Sequence, residues 1–218
     1  MSRSDRRLAI LGATGFVGRH LLGEALHRGH GARILARNPG ALGDLPASVE
    51  VVPGDCFDAS AVRTTLEGCA AVLSTIGPPS GRRHGLVAED YGRAMQSLVD
   101  AMHDAGIRRL IWLAGAGTSY PGEKIVFRRA WVRAMIRLVA PLVIPAKERE
   151  LAVLMDSDLD WTCIRPPMIR ERVRGILHAD EVEAQGYRVD VDQLACFMLD
   201  QIDDPTWIRK KPFVGTRK

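Results

Sequence analysis

In the stretch "SYPGEK", Ser119 to Lys124, a tyrosine and a lysine stand four positions apart. On a helix that spacing puts both side chains on one face. A lysine so placed lowers the pKa of the phenol, which can then hand a proton to the alkoxide formed when a ketone is reduced. Pro121 and Gly122 stand between the two, however. Proline can open a helix, but glycine beside it makes a turn the more natural reading. Tyr120 also follows the preceding apolar run by only a few residues. The Tyr120–Lys124 spacing is therefore read as coincidence, with Tyr120 kept as a candidate for lining a pocket. A second cation to weigh is Lys147 in "PAKERELAVL", on a helical stretch, where a lysine could bind hydroxyls or polarise an acceptor. Its bland alternative is a solvated lysine beside Glu148 and Glu150.

A second constellation is "LGATGFVGRHLL", with Gly12, Gly15 and Gly18 between an apolar run and an amphipathic one. The first glycine permits a tight turn, the next lets backbone approach a pyrophosphate, and the third packs a helix against a strand. Phosphates then sit on the free N–H groups of a helix N-terminus, where the dipole favours anions. Gly12, Ala13, Thr14, Gly15, Phe16, Val17 and Gly18 are thus the expected dinucleotide cradle. The spacing is G-x-x-G-x-x-G rather than G-x-G-x-x-G, so its weight comes from its place between a strand and a helix. NAD sites put an acid at the end of the second strand, for the ribose hydroxyls. Here that strand ends "ILARNP". Arg37, with Asn38 beside it and Arg19 adding from the first helix, suits a 2′-phosphate. NADPH is expected over NADH.

These residues need a frame to hold them. Short apolar runs, "RRLAILGA", "ARILAR", "VEVVPGD", "AAVLSTIG", "RRLIWLAG" and "DWTCIRPP", read as six strands. Helical patterns separate them, over about 15–27, 58–67 and 85–104, from "EKIVFRRAWVRAMIRLV" to breaks at Pro141 and Pro145, and over 146–156. Asp190 or Asp192 would cap a last helix, and "KPFVGT" reads as a final edge strand. Alternating strands and helices, with each strand nearly all apolar, predict a parallel sheet covered on both faces. The expected fold is α/β: a Rossmann-type doubly wound sheet in three layers, one domain over 1–218, with the substrate pocket built from about 116–186.

The motifs "GATGFVG", "ARNP", "VPGDCFD", "STIG" and "SDLDWTCIRPPMI" together resemble the atypical short-chain dehydrogenase/reductase superfamily. The branch is that of small NAD(P)H-binding flavin reductases of the biliverdin reductase B kind and NADH-flavin-reductase-like proteins, and the likeness runs from Leu8 to about Gly215. It implies that Asp55 and Cys56 contact adenine, and that Thr75, Ile76 and Gly77 lie against ribose and pyrophosphate. It implies likewise that Pro166, Pro167 and Met168 border the nicotinamide, and that a lysine or histidine near Lys147 stands by it. On that resemblance Lys147 is preferred to Tyr120 as the catalytic candidate. Ala114 and Gly115 end the fifth strand, where the family usually has Ser or Thr in place of Gly115. A site short of acids favours a flavin or quinone-like acceptor, whose delocalised charge water can protonate. Two rivals stay open: a non-catalytic redox sensor resembling the fungal nitrogen-metabolite repressor, and a nucleotide-sugar epimerase or ketone reductase that would need Tyr120 after all.

Other signals are set aside. Asp156, Asp158 and Asp160 have calcium-loop spacing, but Trp161 stands where glycine is needed. Cys56, Cys69, Cys163 and Cys196 are scattered, read as buried free thiols of a reducing cytoplasm, and no metal site is expected. In "RRAWVRAMIRLV", Arg129, Arg133 and Arg137 recur every four residues opposite an apolar face of Trp131, Ala134, Met135 and Leu138. The ordinary reading is a solvated charged stripe on an outer helix, with a homodimer contact through 125–145 as a further expectation. Within 218 residues, 46% apolar and 26% charged with net charge +4, no run spans a membrane, no secretory segment follows the basic start, and nucleic-acid binding is not indicated.

Overall fold

The computed structural model of the chain describes residues 6–78 and 85–217. The first residues of the basic N-terminal stretch lie outside them. Six strands make the central sheet: β1 (Arg7–Leu11), β2 (Gly31–Ala36), β3 (Val49–Pro53), β4 (Ala71–Ser74), β5 (Arg109–Leu113) and β6 (Asp160–Ile164). Their order is β3-β2-β1-β4-β5-β6, and every neighbouring pair is parallel. The chain therefore starts in the middle, winds outward one way, then returns and winds the other. That reversal opens a crevice between the carboxyl ends of β1 and β4, where Leu11 and Ser74 are partners in register.

The described residues form six helices, α1 (Phe16–His27), α2 (Ala59–Leu66), α3 (Ala88–Asp104), α4 (Phe127–Val139), α5 (Val143–Asp156) and α6 (Val191–Asp200), of which all but α4 cover the sheet. Strand side chains alternate between faces, so the sheet has two cores. One packs Leu11, Val72 and Trp112 against α2, α3 and α5 through Val62, Met102 and Leu151. The other packs Ile10, Ile34 and Leu73 against α1 and α6 through Leu21, Leu194 and Met198. Asp190 caps α6, its carboxylate accepting from the Asp192 and Gln193 amides, and it also takes the Val173 amide at 2.9 Å.

Four short strands follow the sheet: β7 (Met168–Arg170), β8 (Ile176–Asp180), β9 (Arg188–Asp190) and β10 (Phe213–Arg217). The expected last strand is thus present, but it is not an edge of the main sheet. It pairs antiparallel with β8, and an isolated parallel bridge joins its Phe213 to Arg165, the residue after β6.

Three helix starts differ from expectation. Gly85 has φ +67° and α3 opens at Ala88. Pro145 does not break a helix, since α5 begins at Val143 and the proline falls in its first turn, where no intrahelical N–H bond is needed. The arginine-rich helix begins at Phe127, and two residues of its charged stripe, Arg129 and Arg133, face the protein while Arg137 stays exposed. Arg133 is buried, while the side of Trp131, Ala134 and Met135 is exposed. All four cysteines are free, but only Cys69 and Cys163 are buried, with Cys56 and Cys196 half-buried. Among the described residues no helix is long and apolar enough to cross a membrane, and no group of His, Cys, Asp and Glu could hold a metal ion.

Candidate functional site

The crevice at the sheet reversal is a cleft of about 230 Å³. The turn from β1 into α1 forms one wall, the β2 and β3 ends another, and the β4 end the floor. Gly12 sits at φ +90°, a conformation that side chains rarely adopt, and a Cβ there would lie 2.8 Å from Thr75 Oγ1. Thr75 in turn donates toward the Gly12 carbonyl at 3.2 Å, so the β4 end and the glycine turn are interlocked. A Cβ on Gly18 would stand 2.0 Å from the Gly12 carbonyl oxygen, and that absence lets α1 start directly behind the turn. Gly15 is the N-cap of α1, no side chain caps the helix, and no acid lies in its first turn. The N-terminal amides and the positive dipole end are thus left for a ligand anion.

Of the expected cofactor residues, Gly12, Thr14, Gly15 and Arg37 line this cleft, together with Asp55, Cys56, Thr75, Ile76 and Gly77. Arg37 stands at the mouth, 3.8 Å from the Asp55 carboxylate and with a largely exposed side chain. Burial, then the neighbouring Asp55 charge, pushes the Cys56 thiol up to about 12, so it stays protonated and inert. Sequence reasoning missed Leu35, Gly54, Phe57, Leu86 and Tyr91, which line the same cleft. Phe57 and Tyr91 meet edge to face at 5.3 Å, an apolar seat suited to a flat ring. Phe57 stands within "VPGDCFD", next to Cys56, and Tyr91 falls in the helical pattern over 85–104, where nothing in the sequence marks either as facing a ligand.

The other expected residues lie elsewhere. Ala13, Val17 and Gly18 are buried and serve packing, Phe16 is exposed beside His20, and Asn38 is exposed at the start of a short 3-10 turn. Arg19 does not join Arg37. It borders a shallower cavity of about 400 Å³ between α1 and α6, lined also by His20, Glu24 and Asp192. That cavity exceeds the glycine cleft in volume but lies away from the strand ends where open α/β sheets bind ligands. Further along the carboxyl edge come Ala114 and Gly115 after β5, then Pro166 (buried), Pro167 and Met168 (half exposed) after β6. The Ala116 amide donates to the Pro166 carbonyl at 2.7 Å, joining the two strand ends.

Lys147 is not a solvated helix lysine. It is 3% exposed, its ammonium donates to the Ile76 carbonyl at 2.5 Å, pairs with Glu150 at 2.8 Å, and lies over the Trp112 ring at 4.7 Å. Burial raises the Glu150 carboxyl, and the Lys147 charge works against that rise. The lysine thus grips the strand end that floors the cleft. The Tyr120–Lys124 stretch is a turn, with Gly122 at φ +84° and the Glu123 amide bonded to the Tyr120 carbonyl. Tyr120 packs on the core with Lys211 4.3 Å above its ring, and Lys124 is exposed.

Residues 12–205 match the family model described as NAD(P)H-binding, and the chain belongs to that family. A (4-alkanoyl-5-oxo-2,5-dihydrofuran-3-yl)methyl phosphate reductase of Streptomyces griseus is 31% identical over 160 residues, 73% of this chain and 46% of that protein. A 3-beta-hydroxysteroid dehydrogenase of Mycolicibacterium neoaurum is 29% identical over 128 residues, 55% of this chain and 35% of that protein. The chain thus spans less than half the length of these two curated relatives. Among solved structures, the anaerobillin reductase ChuY from Escherichia coli superposes with TM-score 0.78 at 18% identity, over 96% of this chain and 97% of its own. A wide-type short-chain dehydrogenase/reductase from Veillonella parvula in complex with NADP gives TM-score 0.74 at 18% identity, over 96% and 94%. These two likenesses speak for the fold. What the match shows of this chain is membership of a family described as NAD(P)H-binding; the reductase and dehydrogenase activities are those of the two relatives.

Proposed function

We propose that the chain is an NADPH-dependent reductase of the atypical short-chain class that passes hydride to a planar conjugated acceptor such as a flavin or a quinone. The observation that carries the reading is the turn at Tyr120–Lys124, which denies the site a helical tyrosine–lysine acid beside its glycine cleft. Reduction of an isolated ketone leaves an alkoxide that needs a positioned acid. A conjugated acceptor spreads the incoming charge over its ring and takes its proton from water, so proximity and orientation suffice.

When bound, the nicotinamide supplies the hydride. Gly12, Thr14, Gly15 and the first amides of α1 hold the diphosphate, and Arg37 pairs with the 2′-phosphate. Asp55, Cys56 and the Phe57–Tyr91 pair seat the adenine, while Thr75, Ile76 and Gly77 hold the ribose and pyrophosphate. Lys147 fixes the Ile76 carbonyl and so the floor beneath the ring. Ala114, Gly115, Pro166, Pro167 and Met168 wall the nicotinamide side, next to an acceptor pocket formed by 116–186 of one domain spanning 1–218. We assign it to the cytoplasm.

The test is to titrate NADPH and NADH by nicotinamide fluorescence, then add flavins and quinones. Oxidation faster than in the protein-free control is expected. Binding that persists unchanged through the panel would overturn the reading and leave a dinucleotide sensor. In the same titration, Arg37→Ala should weaken NADPH by about 10-fold or more, the worth of a charged hydrogen bond, and leave NADH nearly untouched. Tyr120→Phe should leave turnover within about 2-fold, since the phenol is given no proton to move; abolished activity would restore the ketone-reductase reading.

A further inference from the structure

The apolar face of α4 is on the outside of the molecule. Phe127 is 86% exposed, Trp131 62%, Met135 43% and Val139 71%. Recurring every fourth residue, they form a stripe about 18 Å long at 1.5 Å per residue, and exposed Val126 and Val132 widen it. The helix is held this way round by its arginines. Arg129 donates to the Ala116 carbonyl at 2.8 Å, to the Thr118 carbonyl, and to Glu123 at 3.0 Å. Arg133 donates to the Gly117 carbonyl and, at 2.8 Å, to Glu148. Water alone would turn such a helix over, apolar side in.

We propose that this stripe is a homodimer interface, in which a second copy of the chain lays its own α4 against the first about a two-fold axis. A two-fold contact needs a surface complementary to itself, and a row of Phe, Trp, Met and Val meets that need without any opposite charge. Aromatic residues and methionine are the types enriched in interface cores. The area agrees: the exposed side chains present on the order of 800 Å², about one partner's share of a standard interface and more than the largest patch of an ordinary monomer, about 300–600 Å². The charges argue against an anionic membrane as the occupant. A helix lying on lipid turns its basic residues to the headgroups, whereas Arg129 and Arg133 are spent on their own chain and Arg137 stands 4.0 Å from Glu148. None of this rests on the proposed activity.

The full chain is to be run by sedimentation velocity from low to high micromolar, beside Trp131→Glu and Val139→Glu. Both positions are exposed, and a cooperative thermal melt verifies that each variant folds. The parent chain is expected at twice the chain mass, and each variant at the chain mass or with dimer dissociation weakened by more than about 30-fold, as at an interface hot spot. A parent chain that stays monomeric at high micromolar overturns the proposal, as does a dimer that survives both substitutions. A monomer that sediments with phosphatidylglycerol vesicles assigns the stripe to a membrane and overturns it too.

Discussion

Arg165→Met is expected to unfold about 10 °C below the parent chain. Arg165 is 1% exposed, and its guanidinium donates to Glu123 at 2.6 Å and to the Lys211 carbonyl at 2.8 Å. The same group lies 3.8 Å from the centre of the Phe213 ring. Arg129 reaches the Glu123 carboxylate from α4 at 3.0 Å. One buried carboxylate therefore ties together β6, the loop after β5 and α4. Methionine keeps most of the volume, so the loss is one of charge. Breaking a buried pair by removing one partner costs about 3–5 kcal/mol, and each kcal/mol moves the midpoint of a chain this size by about 2–4 °C. Adding Glu123→Gln to Arg165→Met should return part of the loss, which a double-mutant cycle of thermal melts measures.

The same cluster sets an acid limit. Burial by itself raises the Glu123 carboxyl, but hydrogen bonds from Arg129 and Arg165, and their charges, outweigh it and hold the group below the ordinary carboxylate range. A carboxyl depressed in the folded state contributes stability that is fully present above the unfolded value, about 4.3, and is lost as pH falls through the folded one. Melts of the parent chain should drop in that acid window, and those of Arg165→Met should drop less.

The second large effect is expected at Gly18. Its Cβ would lie 2.0 Å from the Gly12 carbonyl oxygen and 2.7 Å from the carbonyl carbon, and backbone cannot swing aside as a flexible side chain would. In Gly18→Ala either α1 backs away from the turn or the turn opens, and both move the amides that face the diphosphate. NADPH binding should weaken by more than about 100-fold, because interactions set by a preorganised cradle fail together. Gly23→Ala is the control: it lies in the same helix, a Cβ there meets nothing within 4 Å, and the change should stabilise by about 0.5–1 kcal/mol. If Gly18→Ala binds NADPH as the parent chain does, the start of α1 is not the phosphate seat.

The strands and their helices were legible because apolar runs punctuated by glycine and proline leave little choice in a doubly wound sheet. The strand order was not, since nothing local says where the winding reverses. Gly12 and Gly15 could be read for the site because their type answers to a backbone need, whereas Thr75 came only through the family resemblance. Phe57 and Tyr91 could not, because an aromatic residue near a helix looks the same in a core as beside a ligand. The α4 helix failed more instructively. Its periodicity correctly separates a charged face from an apolar one, but which face turns inward depends on the Ala116, Gly117 and Thr118 carbonyls, which no pattern within the helix records. Lys147 is similar: its fate was decided by the Ile76 carbonyl, far off in sequence. The short strands β7 to β10 carry too few residues for any period to show.

The arrangement of the two cores has a consequence for synthesis. α1 is complete by residue 27, yet α6, which closes over it through Leu194 and Met198, does not begin until residue 191. The opposite side of the sheet is covered by α2, α3 and α5, all complete by residue 156. A chain growing on the ribosome therefore finishes one side well before the other, and has only α1 over the second face until α6 emerges. Exposed apolar surface of that kind is what nascent chains aggregate through and what chaperones shield. The face that α1 shares with α6 is thus the last to be closed during translation.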